Sequence, residues 1–213
     1  MKTPVISLLA ACLISFVAAA PADQKPVVAK AGQPDEKAKN TTPPTIAQLK
    51  EQLKDKSPQV RREAAQQLGG RGVRALEAVP AMIDALGDSE AVIRASVCEA
   101  LGNIGVTAKA AVPALLKLLK DSSADVRETA AEALADIGVD APKVVPALLE
   151  LLSDGDVNVR CAAAKSLGDF RAAARVALPA LEKMQKQDKH WLGRDAAAEA
   201  LETIQKALQK LDS

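Results

Sequence analysis

From Thr45 onward, apolar residues recur at helical intervals, and the whole pattern recurs every 33 residues. Leu115, Leu116, Leu118 and Leu119 are matched by Leu148, Leu149, Leu151 and Leu152, and by Met82, Ile83, Ala85 and Leu86. A second apolar face follows in each unit. It reads Val126, Ala130, Ala131, Leu134 and Ile137, with equivalents Ile93, Val97, Cys98, Leu101 and Ile104, and Val159, Ala163, Ala164, Leu167 and Phe170. Steps of three and four residues belong to a helix, because a strand alternates every second residue. Each unit therefore predicts two helices. Pro80, Pro113, Pro146 and Pro179 keep the same step and fall a few residues into the first helix, where a kink is tolerable after a short turn. Ser57, Ser123 and Asp156 suit the N-cap of the second helix, Pro58 its first position, and Gly105 and Gly138 its end. A period of this size marks stacked repeats, each burying its apolar face against the next.

Polar positions repeat with it. Asp55, Asp88, Asp121 and Asp154 form one column, and Arg61, Arg94, Arg127 and Arg160 form another six residues later. Asp188 and Arg194 keep that six-residue step after one inserted residue. Proline, aspartate eight residues on and arginine six further, within a helix pair, resembles the HEAT repeat. The Ala-Leu-Gly-x-Ile-Gly string at 100–105 looks most like the bacterial subtype named after phycobilisome lyases. The resemblance implies an all-α, right-handed α-solenoid of about five HEAT-like helix pairs, at 45–79, 80–112, 113–145, 146–178 and 179–213. It also implies that the Asp and Arg columns are a structural ladder that satisfies turn amides and links neighbouring units. The ends depart from the pattern. Ala47 stands where the first proline belongs, Gly193 replaces an apolar residue, and Glu202, Gln205, Lys206, Gln209 and Lys210 make the last helix a polar cap.

In such solenoids the second helices line the concave face. Glu99, Glu132, Lys165 and Glu199 form one outward column there, and Asn103, Asp136 and Asp169 another. A mildly acidic groove of this kind would attract a basic peptide, a groove five repeats long holding one extended segment or one helix. Glu51, Asp84, Lys117, Glu150 and Lys183 share a register on the first helices, with alternating sign from Asp84 onward, and are expected to pair between repeats on the convex face. Trp191, the single tryptophan, is expected to cover the apolar end of the stack, with partner anchoring as its functional alternative.

Composition narrows the chemistry. Hydrophobic residues make up 48% of the chain, yet Phe16, Phe170 and Trp191 are its aromatics, so the core is built of Ala, Leu, Val and Ile. One histidine and no tyrosine leave few general bases, and no Ser or Cys has a His beside it in the repeat register. Clustered metal ligands are absent from the pattern, so no cofactor and no enzymatic activity are expected. Repeated His-Glu pairs, which hold the irons of the HEAT-repeat enzyme deoxyhypusine hydroxylase, do not occur. Cys98 and Cys161, two repeats apart, are too distant for a disulfide and read as free thiols.

The N-terminal segment has a different character. Lys2, an apolar run from Val5 to Ala20, and small residues to Ala22 have the form of a secretory signal peptide at 1–22. The run is too short to favour a membrane span. Leu9-Ala10-Ala11-Cys12 resembles a lipobox, which keeps a lipid anchor at Cys12 as the rival reading. Residues 23–44 are polar and Pro-rich and read as a disordered linker, with Asn40-Thr41-Thr42 a glycosylation acceptor only in a eukaryotic secretory pathway. The chain carries 28 basic and 27 acidic residues, and loss of 1–22 removes Lys2 alone, leaving it neutral. That charge does not suit nucleic acid. The sequence thus points to a secreted, periplasmic or extracellular scaffold binding a protein or peptide partner. The alternative is a lyase-like or chaperone-like accessory factor for an enzyme or cofactor-bearing protein.

Overall fold

The computed structural model describes residues 43–211. The expected signal peptide, the Cys12 anchor, the Asn40 acceptor and the linker up to Thr42 lie outside the described residues. From Pro43 on, the chain forms ten α-helices: α1 (Ile46–Gln52), α2 (Pro58–Gly69), α3 (Val79–Ala85), α4 (Ala91–Ile104), α5 (Val112–Leu118), α6 (Ala124–Ile137), α7 (Ala141–Leu151), α8 (Val157–Asp169), α9 (Leu178–Gln187) and α10 (Trp191–Gln209). Three 3₁₀ segments, Gly72–Ala78, Gly105–Ala111 and Arg171–Ala177, lead into α3, α5 and α9. No strand occurs among the described residues. The helices pair as five hairpins in an α-solenoid.

Local chemistry sets the boundaries. Thr45 opens α1 with a capping box, in which Thr45 Oγ1 accepts from the Gln48 amide at 3.2 Å and Gln48 Oε1 accepts from the Thr45 amide at 2.8 Å. Gly138 ends α6 in the left-handed region. The prolines behave differently from the expected kink. Pro80, Pro113 and Pro179 sit in the first turn of α3, α5 and α9, where their missing N–H is no loss. What precedes each is 3₁₀ rather than α, and in two of the three segments the break falls at non-helical Ala108 and Ala174, upstream of the proline. Pro146 alone lies inside a helix, because α7 starts early, at Ala141, after Asp140 takes a left-handed conformation.

The even-numbered helices stack directly on one another along the chain. Their Leu68, Leu101, Leu134 and Leu167 side chains are fully buried and belong to one continuous core. Each such leucine contributes about 1.5–3 kcal/mol of burial. A column of small residues lets the backbones approach. A Cβ on Gly69 would lie 2.8 Å from Ala100 Cα, and one on Gly102 would lie 3.2 Å from Ala133 Cα. In the next step Ala135 replaces glycine, and at Ala133's register on α8 stands Ser166, whose buried hydroxyl donates to the Ala131 carbonyl at 3.1 Å.

The convex column does not pair as expected. Glu150 meets Lys120 at 3.4 Å rather than Lys117 of its own column, and both partners are largely exposed. Helical advance brings the next turn's lysine closer, and such a pair contributes roughly 0–1 kcal/mol.

Candidate functional site

Two polar arrays cross the repeats, and they do different things. The first is the Asp/Arg ladder. Arg61 Nε and Nη2 donate to Asp88 of the next unit at 2.6 and 3.0 Å, and Arg94 grips Asp121 with two bonds of 2.8 Å. Arg127 holds Asp154 at 2.8 and 2.9 Å, and Arg160 holds Asp188 at 2.6 and 2.9 Å. The third guanidinium nitrogen of each turns back to its own unit's turn, as in Arg94 Nη1 to the Asp88 carbonyl at 2.8 Å. The aspartates also cap the turns: Asp88, Asp121, Asp154 and Asp188 Oδ1 accept from the amide two residues on, at 2.8–2.9 Å. Among the described residues no buried side-chain nitrogen or oxygen is left without a hydrogen-bond partner. Hydrogen bonding from the arginine holds the carboxyls of Asp88, Asp121, Asp154 and Asp188 below the usual carboxylate range. Asp55 begins the array and Arg194 ends it, Arg194 donating to the Asp188 carbonyl at 2.9 Å. Gly193 is small for a reason: its Cβ would lie 2.6 Å from Asp188 Cγ.

The second array faces solvent on the even helices. One stripe of α6 carries Asp125, Glu128, Glu132 and Asp136, four acids spaced by three and four residues. Between α6, α8 and α10 runs a cleft of about 240 Å³, bordered by Glu128, Glu132, Lys165, Asp195 and Glu199, with Asn158, Cys161 and Leu192 beside them. Of the residues singled out from sequence, Glu132, Lys165 and Glu199 line this cleft. Glu99 lies close enough to push the Glu132 carboxyl up. Asp136 folds down toward Gly102, its Oδ2 being 2.8 Å from where a Cβ would stand, and Asn103 leans likewise over Gly69. Asp169 is exposed near the end of α8. The sequence reading passed over Glu128, Cys161 and Asp195, which lie one turn before Glu132, Lys165 and Glu199 on the same stripe. The signal was that four-residue step; Ala95 in the equivalent place on α4 hid the column.

The groove acids repel each other. Partial burial, then the charges of Glu132, Asp125 and Asp156, push the Glu128 carboxyl above its usual range, and Lys165 offsets this only in part. Burial, then Asp136, does the same to Glu132, with Glu99 adding to it. Asp169 is raised by burial and by Asp136. Across α4, α6, α8 and α10 the stripe presents Glu99, Asp125, Glu128, Glu132, Asp136, Asp169, Asp195 and Glu199 against Lys165. Such a surface favours cationic groups.

Trp191 does not cover the end of the stack. It is 61% exposed and stacks on His190 with ring centroids 6.2 Å apart. His190 is the N-cap of α10, its Nδ1 accepting from the Leu192 amide at 3.2 Å. Cys98 and Cys161 are free, and burial pushes the Cys98 thiol up to about 12, which suits packing rather than reactivity. Among the described residues no group of three or more His, Cys, Asp or Glu side chains is placed to hold a metal ion. No described helix is long and apolar enough to cross a membrane.

Stacked helix hairpins joined by an inter-repeat ion ladder define an α-solenoid of the armadillo and HEAT class, an architecture typical of non-enzymatic scaffolds. The HEAT-repeat profile matches residues 46–135 and 112–202, and the chain belongs to the HEAT repeat family. A comparison with curated proteins finds no match. Among solved structures, the complex of CpcE and CpcF of phycocyanin lyase from Nostoc sp. PCC7120 is similar at 27% identity and a TM-score of 0.67, over 82% of this chain and 70% of that one. That likeness fits the lyase-like HEAT subtype. A designed armadillo repeat protein in complex with the peptide (KR)4 shares the fold at 22% identity and a TM-score of 0.62, over 75% of this chain and 81% of that one. An engineered protein shares it at 24% identity and a TM-score of 0.61, over 76% and 80%.

Proposed function

We propose that this protein is a secreted, non-catalytic scaffold whose concave face binds a basic segment of a partner protein. The observation that carries this reading is the cleft between α6, α8 and α10, where partial burial, and after it the neighbouring carboxylates, raise the proton affinity of Glu128 and Glu132. Lysine or arginine side chains laid along the stripe relieve that repulsion, and repeats about 10 Å apart match an extended peptide or a helix. Glu99, Asn103, Glu132, Asp136 and Asp169 supply acceptors, Lys165 sets orientation, and exposed Trp191 offers an aromatic anchor at the C-terminal end. The fold, which presents a long surface rather than a closed pocket, supports the same role. Reversal of Glu132 and Asp136 to Lys abolishes capture of the partner from a cell-envelope extract while the protein stays helical. Unchanged capture by that double variant sinks the concave-face role.

Secretion is supported by the charged start, apolar run and small residues of 1–22. Mass spectrometry of the mature N-terminus decides between cleavage after Ala22 and lipidation at Cys12. A second reading, an accessory factor for an enzyme or cofactor-bearing protein, is favoured by the 27% identity with the phycocyanin lyase complex. It requires a chromophore or metal in the purified protein, and a clean absorbance spectrum with a clean metal analysis removes it.

A further inference from the structure

Each helix pair doubles back on itself, so the ladder turns lie on one edge of the solenoid and the 3₁₀ segments on the other. A 3₁₀ helix repeats every three residues, which places positions i and i+3 on one side. Inward go Ala75 and Ala78, Ala108 and Ala111, and Ala174 and Ala177, all fully buried. The other side of the same segments is therefore fixed outward. Val73 is 64% exposed, Leu76 50%, Val106 59% and Val176 67%, which is half of the large hydrophobic side chains exposed among the described residues. Solvent gains nothing from four aliphatics on one edge. Exposed Arg74, Lys109, Arg171 and Arg175 stand among them. The acids of the turn segments are Glu77 and Asp140, Asp140 being taken up by Lys143 at 2.8 Å, and Asp169 at the end of α8 lies near Arg171. Arg171 even holds a left-handed conformation, φ 52°, where the three preceding units use glycine. A cation is kept there at a conformational cost.

We propose that this edge rests on an anionic lipid surface, independently of what the groove binds. Short aliphatics flanked by cations, on three of the four turns that join the hairpins along this edge, suit a flat headgroup layer, where weak contacts add along the edge. A cleft at the Arg171 end of this edge, bordered also by Ala172, Lys206 and Lys210, takes in none of the four aliphatics, which stand on the surface. The acidic stripe on the even helices is repelled by the same lipids, which orients the molecule with its edge down and its groove clear.

The test is co-sedimentation of the full chain with vesicles of equal parts phosphatidylglycerol and phosphatidylcholine, against phosphatidylcholine alone. The wild-type chain partitions to the anionic vesicles, and added salt releases it. Lys109→Glu with Arg175→Glu lowers that partition about twentyfold or more, at about fivefold for each cation removed. Val73→Ser, Val106→Ser and Val176→Ser together also lower it, with unchanged circular dichroism. Glu132→Gln, which alters the groove, does not lower it. Equal binding to the neutral vesicles, partition unaffected by both edge variants, or capture of an acidic polyglutamate peptide in place of vesicles overturns the proposal.

Discussion

At the residue scale, the ladder and the groove respond oppositely to protons. Asp88, Asp121, Asp154 and Asp188 have carboxyls held low in the folded chain by their arginines. Their stabilisation is therefore present above the ordinary carboxylate range and is lost as pH falls through it toward the lowered folded values. Glu128, Glu132 and Asp169 are raised, so the folded chain binds their protons more tightly than the unfolded one. They subtract from stability above their raised values, and that penalty disappears as pH falls below the ordinary range. Urea unfolding of Glu132→Gln accordingly shows a gain over wild type at neutral pH and none in acid. A gain that persists unchanged in acid contradicts the assigned repulsion. Within the ladder, the Arg160 and Asp188 side chains are only 5% and 4% exposed. Asp188→Ala leaves a buried guanidinium unpaired and costs about 3 kcal/mol, whereas Glu150→Gln on the open surface changes stability by less than ~1 kcal/mol. Equal costs in denaturant titrations would show that the ladder is no more than surface charge.

Elements are held together by how closely even helices approach. Gly69 faces Ala100 Cα at 2.8 Å, a distance a Cβ cannot share, and Gly102 faces Ala133 Cα at a tight 3.2 Å. Gly69→Ala pushes α2 from α4 and lowers stability by about 1–3 kcal/mol. Gly155, with nothing within 4 Å, accepts alanine without that cost. Thermal melts of the two variants separate close packing from a general glycine effect. The glycine of this column was visible in the Ala-Leu-Gly string, but its purpose was not, because the partner atoms come from a segment some thirty residues away. The 3₁₀ segments were also hidden. Their three-residue alanine period is too short to stand apart from a helix start, and Val79, Val112 and the prolines after them suggested one long bent helix instead.

For the whole molecule, stability accumulates along the stack rather than around one centre. Leu134 has neighbours on both sides in the seam, so Leu134→Ala costs about 2–5 kcal/mol and destabilises the units flanking it. Amide exchange should be slowest in α4, α6 and α8 and fastest in α1, which has packing on one side only. Uniform protection across all five units would rule out that one-dimensional behaviour. The site was legible in part. Glu132 and Lys165 declared themselves by their columns, but the cleft they share with Glu128 and Asp195 arises between three helices. An apolar ring at a terminal unit looks like a lid, but Trp191 is the first residue of α10, beside the His190 cap, and stays in solvent.

The residue order alone determined the helices, the repeat step, the buried leucine seam and the Asp and Arg columns, because each follows from a period along one chain. Tertiary structure decided which column meets which. Arg94 reaches the next unit's Asp121 instead of its own Asp88 side chain, and Lys120 displaces Lys117 at Glu150. Those choices depend on the offset between stacked units, a quantity of packing geometry that no single repeat contains.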